Sequence, residues 1–164
     1  MNSVAFHTLG CKVNQYETEA MEEMFEKKGY TIVEEDGYSD IYVINTCTVT
    51  NLSDRKSRQF IRKSKKNNPG AIVAVVGCYS QVSPEEVEKI QGVDVIIGTS
   101  ERHRIVDLCE EASNHKRRIN IVRSVKTYKE FEKINIDELK SRTRAFVKIQ
   151  DGCNQFCSYC IIPY

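Results

Sequence analysis

The sequence contains no tryptophan, and only three prolines and eight glycines among its 164 residues. That scarcity excludes a collagen-like or low-complexity chain. Long apolar runs are missing too. The longest, Ala71–Val76, falls far short of the roughly 18 residues that cross a bilayer. The opening MNSVAFHTLGCKVNQYETE has no basic leader and turns polar at once, so no secretory signal is read there. The expectation is a soluble, cytoplasmic protein without a membrane partner. A Gly-rich phosphate loop, a Ser/His/Asp nucleophile set and a paired-carboxylate signature are also lacking. What remains, 40% hydrophobic and 29% charged residues, supplies one domain, or one domain and a piece of another.

Cysteine, by contrast, is plentiful: seven residues, an odd number. In a reducing compartment structural disulfides are disfavoured, so the thiols point to metal, redox or catalytic roles. One or two could be small buried hydrophobes. The net charge of +1 is unevenly spread, with three Lys/Arg against ten Asp/Glu over residues 1–54 and 21 against 13 over 55–164. Such a split hints at an anionic partner, although charge blocks are commonly solvated faces.

Periodicity predicts short strands at Val4–Phe6, Tyr30–Val33, Ile41–Ile44, Ala71–Val76 and Val93–Ile97. Helices are expected from Asn14, read as an N-cap with Glu17 completing a capping box, to Lys28; from Ser53 or Asp54 to before Asn67; from Ser83-Pro84 to Gly92; and over Arg102–Ala112. Strands alternating with helices, the strands almost continuously apolar, argue for a parallel sheet covered on both faces. The fold class is α/β: a doubly wound, flavodoxin-like domain over residues 1–114. Residues 115–140 read as a linker with one possible strand, Arg118–Val122. From residue 141 a second domain begins. Ala145–Ile149 is its first strand, and Tyr164 follows so soon that the chain reads as a fragment cut inside that domain.

Cys153, Cys157 and Cys160 form a CxxxCxxC on a short loop. Three thiolates can hold three irons of a 4Fe–4S cubane and leave the fourth open, as a catalytic centre requires. A zinc site lacks its fourth ligand, and unligated thiols are the bland alternative. Cys11, Cys47 and Cys78 each follow a predicted parallel strand. Those strand ends share one edge of the sheet, where open α/β folds build their sites, so the three should converge; chance proximity of loop cysteines is the competing reading. Cys109 lies on the apolar stripe of its helix and should face the core.

CxxxCxxC after a strand, with Tyr159 before the last cysteine, resembles the radical S-adenosylmethionine superfamily. With T-L-G-C-K-V-N-Q-Y-E-T-E at Thr8–Glu19, N-T-C-T-V-T at Asn45–Thr50 and V-G-C-Y-S-Q at Val76–Gln81, the whole chain resembles the methylthiotransferase family. Gly10–Tyr16 is most similar to its tRNA threonylcarbamoyladenosine branch, rather than the isopentenyladenosine or ribosomal-protein branches. The resemblance implies two 4Fe–4S clusters, one on Cys11, Cys47 and Cys78 and one on Cys153, Cys157 and Cys160. It also implies S-adenosylmethionine with its adenine beside Tyr159, an external electron donor, and the tRNA anticodon stem-loop as partner. The implied reaction is radical insertion of sulfur and a methyl group at C2 of a modified adenosine beside the anticodon, most of the S-adenosylmethionine contacts lying in the remainder of a radical barrel. A two-cluster electron carrier and a zinc-stabilised RNA-binding module are the competing functions. Arg55, Arg58, Arg62 and Lys65 share one helix face and are candidate RNA contacts. Among the histidines, His7 could stand behind the Cys11 site or be an ordinary loop residue.

Overall fold

The computed structural model describes residues 2–47, 51–124, 132, 134, 136, 146–160 and 162–163, and of residues 51–54 the backbone alone. The elements are β1 (Ser3–Thr8), α1 (Lys12–Lys27), β2 (Thr31–Val33), β3 (Ile41–Thr46), α2 (Asn51–Asn67), β4 (Ile72–Gly77), α3 (Cys78–Val82), α4 (Pro84–Glu88), β5 (Val95–Ile96), α5 (Ile105–His115) and β6 (Ile119–Asn120). A 3-10 turn at Arg102–Arg104 leads into α5.

Among the described residues six strands form one sheet in the order β2-β1-β3-β4-β5-β6, and every pair is parallel. Its first five strands follow the flavodoxin-like order. No helix joins β2 to β3, although parallel neighbours of one strand normally need a long crossover. The register explains the short link: Ala5 pairs with both Val33 and Tyr42. The chain leaves β2 at almost the level where it enters β3, so it has little distance to regain.

β3 and β4 are buried throughout, as expected of strands covered on both faces. Alternate residues feed two cores. Phe6, Val43, Ala74 and Val76 pack with Met21 and Phe25 of α1 and with Ile105, Leu108 and Cys109 of α5. Ala5, Tyr42, Ile44, Val73 and Val75 face Ile61 of α2, Tyr79 of α3 and Val87 of α4. Cys109 is thus a core residue, fully buried.

Several expectations need correction. Asn14 does not cap α1; Cys11 holds the N-cap position, and Asn14 is buried at the third helical residue. The predicted helix from Ser83 is preceded by α3, which begins directly at Cys78. Pro84 cannot donate an N–H to continue α3, so a separate short helix starts there. The strand expected at Arg118–Val122 is present as β6, paired with β5; half of residues 115–140, and Ala145, lie outside the described residues. Phe146–Ile149 form no strand. They keep the alternation, Val147 and Ile149 being exposed while Phe146 and Lys148 are sheltered, but no strand of the sheet extends a ladder to them.

Candidate metal centre

β1, β3 and β4 are neighbours in the sheet, and each delivers one cysteine at its carboxyl end. The register aligns Thr8 with Asn45 and Thr46 with Gly77, so Cys47 and Cys78 leave the sheet side by side. Leu9 N–H donates to the Asn45 carbonyl at 2.9 Å, carrying the contact between β1 and β3 one residue past Thr8, up to Gly10. Gly10 then lies against Cys47: a Cβ there would meet Cys47 Cβ at 2.6 Å and Sγ at 2.9 Å. That close approach, with φ at +111°, calls for glycine and brings the backbone beside Cys11 onto the Cys47 thiol.

Asn14 ties this edge together. Its amide donates to the Leu9 carbonyl at 2.8 Å and to the Thr46 carbonyl at 2.9 Å, and its oxygen accepts from Cys11 Sγ at 3.4 Å. Asn45 answers by donating to the Asn14 carbonyl at 2.9 Å and to Thr18 Oγ1 at 3.2 Å. Thr46 Oγ1 donates to the Val76 carbonyl at 2.6 Å. The loops bearing all three cysteines are therefore held by side-chain-to-backbone bonds. The long-range bonds cannot be read from the sequence, because Asn14, Asn45 and Thr46 find partners about 30 positions away. The single signal was that Asn14, Asn45 and Thr46 flank cysteines.

All three thiols are free; Cys11 is exposed, Cys47 buried and Cys78 between the two. Burial pushes the Cys78 thiol up to about 11, with Cys47, Glu17 and Cys11 adding to the shift and Arg102 opposing it. Cys78 thus lies within electrostatic range of both Cys47 and Cys11, and a cationic centre would favour the thiolate that burial disfavours. Among the described residues no three His, Cys, Asp or Glu side chains stand close enough to bind a single metal ion. A cubane makes a different demand, since each thiolate takes its own iron and the ligands stand farther apart. Three thiols on a braced edge fit that group.

The other cysteines occupy an open loop. Cys160 N–H donates to the Cys157 carbonyl at 3.0 Å, and Cys157 is exposed while Cys153 and Cys160 are half-buried. Tyr159 is 90% exposed and Phe156 takes a left-handed φ of +49°. This loop is tied to the domain upstream of its cysteines, by a buried ionic knot that sequence reasoning missed. Arg102 Nη2 donates to Glu17 Oε1 at 2.7 Å, and Lys148 Nζ donates to the same oxygen at 2.8 Å and to Asp151 Oδ2 at 2.7 Å.

His7 does not reach the cysteines. It stacks on Phe60 of α2 beside Glu35, and burial lowers its pKa against the pull of that carboxylate. On α2, Arg55, Arg58 and Arg62 are exposed. Arg58, Arg62 and Lys65 line an open cleft of about 860 Å³ together with Lys89 of the α4–β5 connection. Lys65 is engaged elsewhere, with Asp94 at 2.7 Å and the Ala71 carbonyl at 2.6 Å.

Fold and site together define an open α/β domain with a thiol-lined carboxyl edge. Residues 3–98 match the uncharacterized protein family UPF0004. The threonylcarbamoyladenosine tRNA methylthiotransferase MtaB of Bacillus subtilis is 46% identical over 164 residues, covering all of this chain and 36% of that protein. Its namesake from Aquifex aeolicus is 41% identical over 161 residues, 98% of this chain and 39% of its own length. A tRNA-2-methylthio-N(6)-dimethylallyladenosine synthase of Staphylococcus haemolyticus is 35% identical over 165 residues, 96% and 31% of the two chains. The chain belongs to the methylthiotransferase family, through its UPF0004 domain. It spans less than two-fifths of the length of these curated relatives.

Proposed function

We propose that the chain carries the auxiliary-cluster domain, over residues 1–114, and the opening of the radical domain, from residue 141, of a cytoplasmic tRNA methylthiotransferase. Its substrate is N6-threonylcarbamoyladenosine beside the anticodon, and its product is the 2-methylthio derivative. The observation that carries this reading is the delivery of Cys11, Cys47 and Cys78 to one edge by three adjacent parallel strands. The names of the Bacillus and Aquifex relatives support the choice of nucleoside.

In this reading Cys11, Cys47 and Cys78 hold one cluster, and Cys153, Cys157 and Cys160 hold the other. The bound groups supply an electron from an external donor, reductive cleavage of S-adenosylmethionine, and an iron position for sulfur. The chain's own residues orient and shield. Gly10, Asn14 and Asn45 fix the three strand-end thiols. Tyr159 offers a ring to the adenine of S-adenosylmethionine. Arg55, Arg58 and Arg62 offer charge to tRNA phosphates.

Nucleoside mass spectrometry of tRNA from cells with and without the gene tests the reading. Loss of 2-methylthio-N6-threonylcarbamoyladenosine on deletion, restored by the wild-type gene but not by Cys47→Ala, is expected. Loss of the isopentenyladenosine derivative instead would move the enzyme to the other tRNA branch. An unchanged nucleoside profile would refute the assignment.

A further inference from the structure

The knot around Glu17 joins parts of the chain separated by 131 positions. Glu17 is on α1, five residues beyond the start of that helix at the Cys11 edge. Arg102 is 1% exposed and reaches Glu17 from the turn before α5. Glu101, immediately ahead of it, takes a left-handed φ of +65°. A non-glycine residue holds that conformation only where the surroundings enforce it, and here it turns the Arg102 side chain inward. Lys148, its side chain 4% exposed, and Asp151 come from the segment that enters the CxxxCxxC loop. Arg102 also pairs with Glu132 at 3.3 Å and lies 3.8 Å from Asp151.

Two further contacts bring the late part of the chain to the same helix. Lys12, next to Cys11, lies over the Phe146 ring at 5.6 Å, and Tyr16 donates to the Ile134 carbonyl at 2.9 Å. Buried ion pairs add little net stability, but removing one partner leaves a charge stranded and is strongly disruptive. Such a knot therefore disfavours any arrangement that separates its members.

We propose that Lys148, locked between Glu17 and Asp151 with Arg102 behind them, is a positioning residue that fixes the Cys153/Cys157/Cys160 loop against the Cys11/Cys47/Cys78 edge. Its consequence rests on the two-cluster reading: two centres held at a set separation leave a defined gap for one base. The docking itself needs no metal.

The test has two arms. On metal-free protein, subtilisin cleavage within residues 146–150 is followed for wild type, Lys148→Ala, Glu17→Gln and Lys148→Arg, with far-ultraviolet circular dichroism confirming the fold. Lys148→Ala and Glu17→Gln are expected to raise the cleavage rate at least about tenfold; Lys148→Arg, which keeps the charge, stays near wild type. On anaerobically loaded protein, wild type is expected to show magnetic coupling between the two reduced centres by paramagnetic resonance, and Lys148→Ala to keep its iron but lose that coupling. Unchanged cleavage overturns the latch whatever the iron content. Unchanged coupling in a loaded Lys148→Ala protein overturns the positioning role. Raised cleavage in a protein that binds no iron counts against the cluster reading and leaves the latch standing.

Discussion

At Gly77 the backbone leaves β4 with φ +95° and ψ −156°, a region open to glycine alone. A Cβ there would lie 2.6 Å from both Asn45 Oδ1 and the Thr46 carbonyl. The turn points Cys78 into the cysteine edge and starts α3 at once. Gly77→Ala is therefore expected to cost about 1–3 kcal/mol in chemical denaturation from the backbone alone, and to lower iron retention by displacing Cys78. Wild-type stability and iron content would mean that the turn does not set the site. Cys109 makes the contrast among the thiols. Burial, then Asp94 and Glu110, raise its pKa strongly, which leaves it an inert hydrophobe in the core.

At the scale of elements, α2 shows how much was legible. The three- and four-residue steps of its basic residues mark one face, and the structure leaves Arg55, Arg58 and Arg62 exposed along it. Lys65 completes that stripe in the sequence, yet its ammonium bridges to Asp94, 29 positions away. Periodicity reports which residues share a face and is silent on what a later strand brings opposite them. Reversing charge at Arg58 and Arg62 together is expected to weaken tRNA binding and flatten its salt dependence, because fewer phosphates are neutralised and fewer counterions released. Thermal stability should barely move, as exposed helix charges contribute a few tenths of a kcal/mol each. An unchanged affinity and salt slope would make α2 a solvated face only. Asn14 gives the opposite lesson. A capping box was legible in its spacing, but the chain places Cys11 at the cap and turns the Asn14 amide to the carbonyls of Leu9 and Thr46, the second of which comes within reach only after β1 and β3 have paired.

At the scale of the whole molecule, the convergence of Cys11, Cys47 and Cys78 followed from the sequence because parallel strands leave no choice of edge: three cysteines after three such strands emerge together. The flavodoxin-like reading carries the strand order 2-1-3-4-5 with it, and it is that order that makes β1, β3 and β4 neighbours. The Glu17–Arg102–Lys148 knot, by contrast, was hidden. Its members are single charged residues without a repeat or motif, and only the folded sheet brings them to one buried point. The most direct test of the account is the iron content of the anaerobically reconstituted gene product with Cys11, Cys47 and Cys78 replaced together by alanine. Two cubanes amount to about eight irons per chain, so the triple variant should retain about half, with the resonance of the CxxxCxxC centre intact. Retention of the full complement would contradict the central claim that the strand-end cysteines carry a cluster of their own.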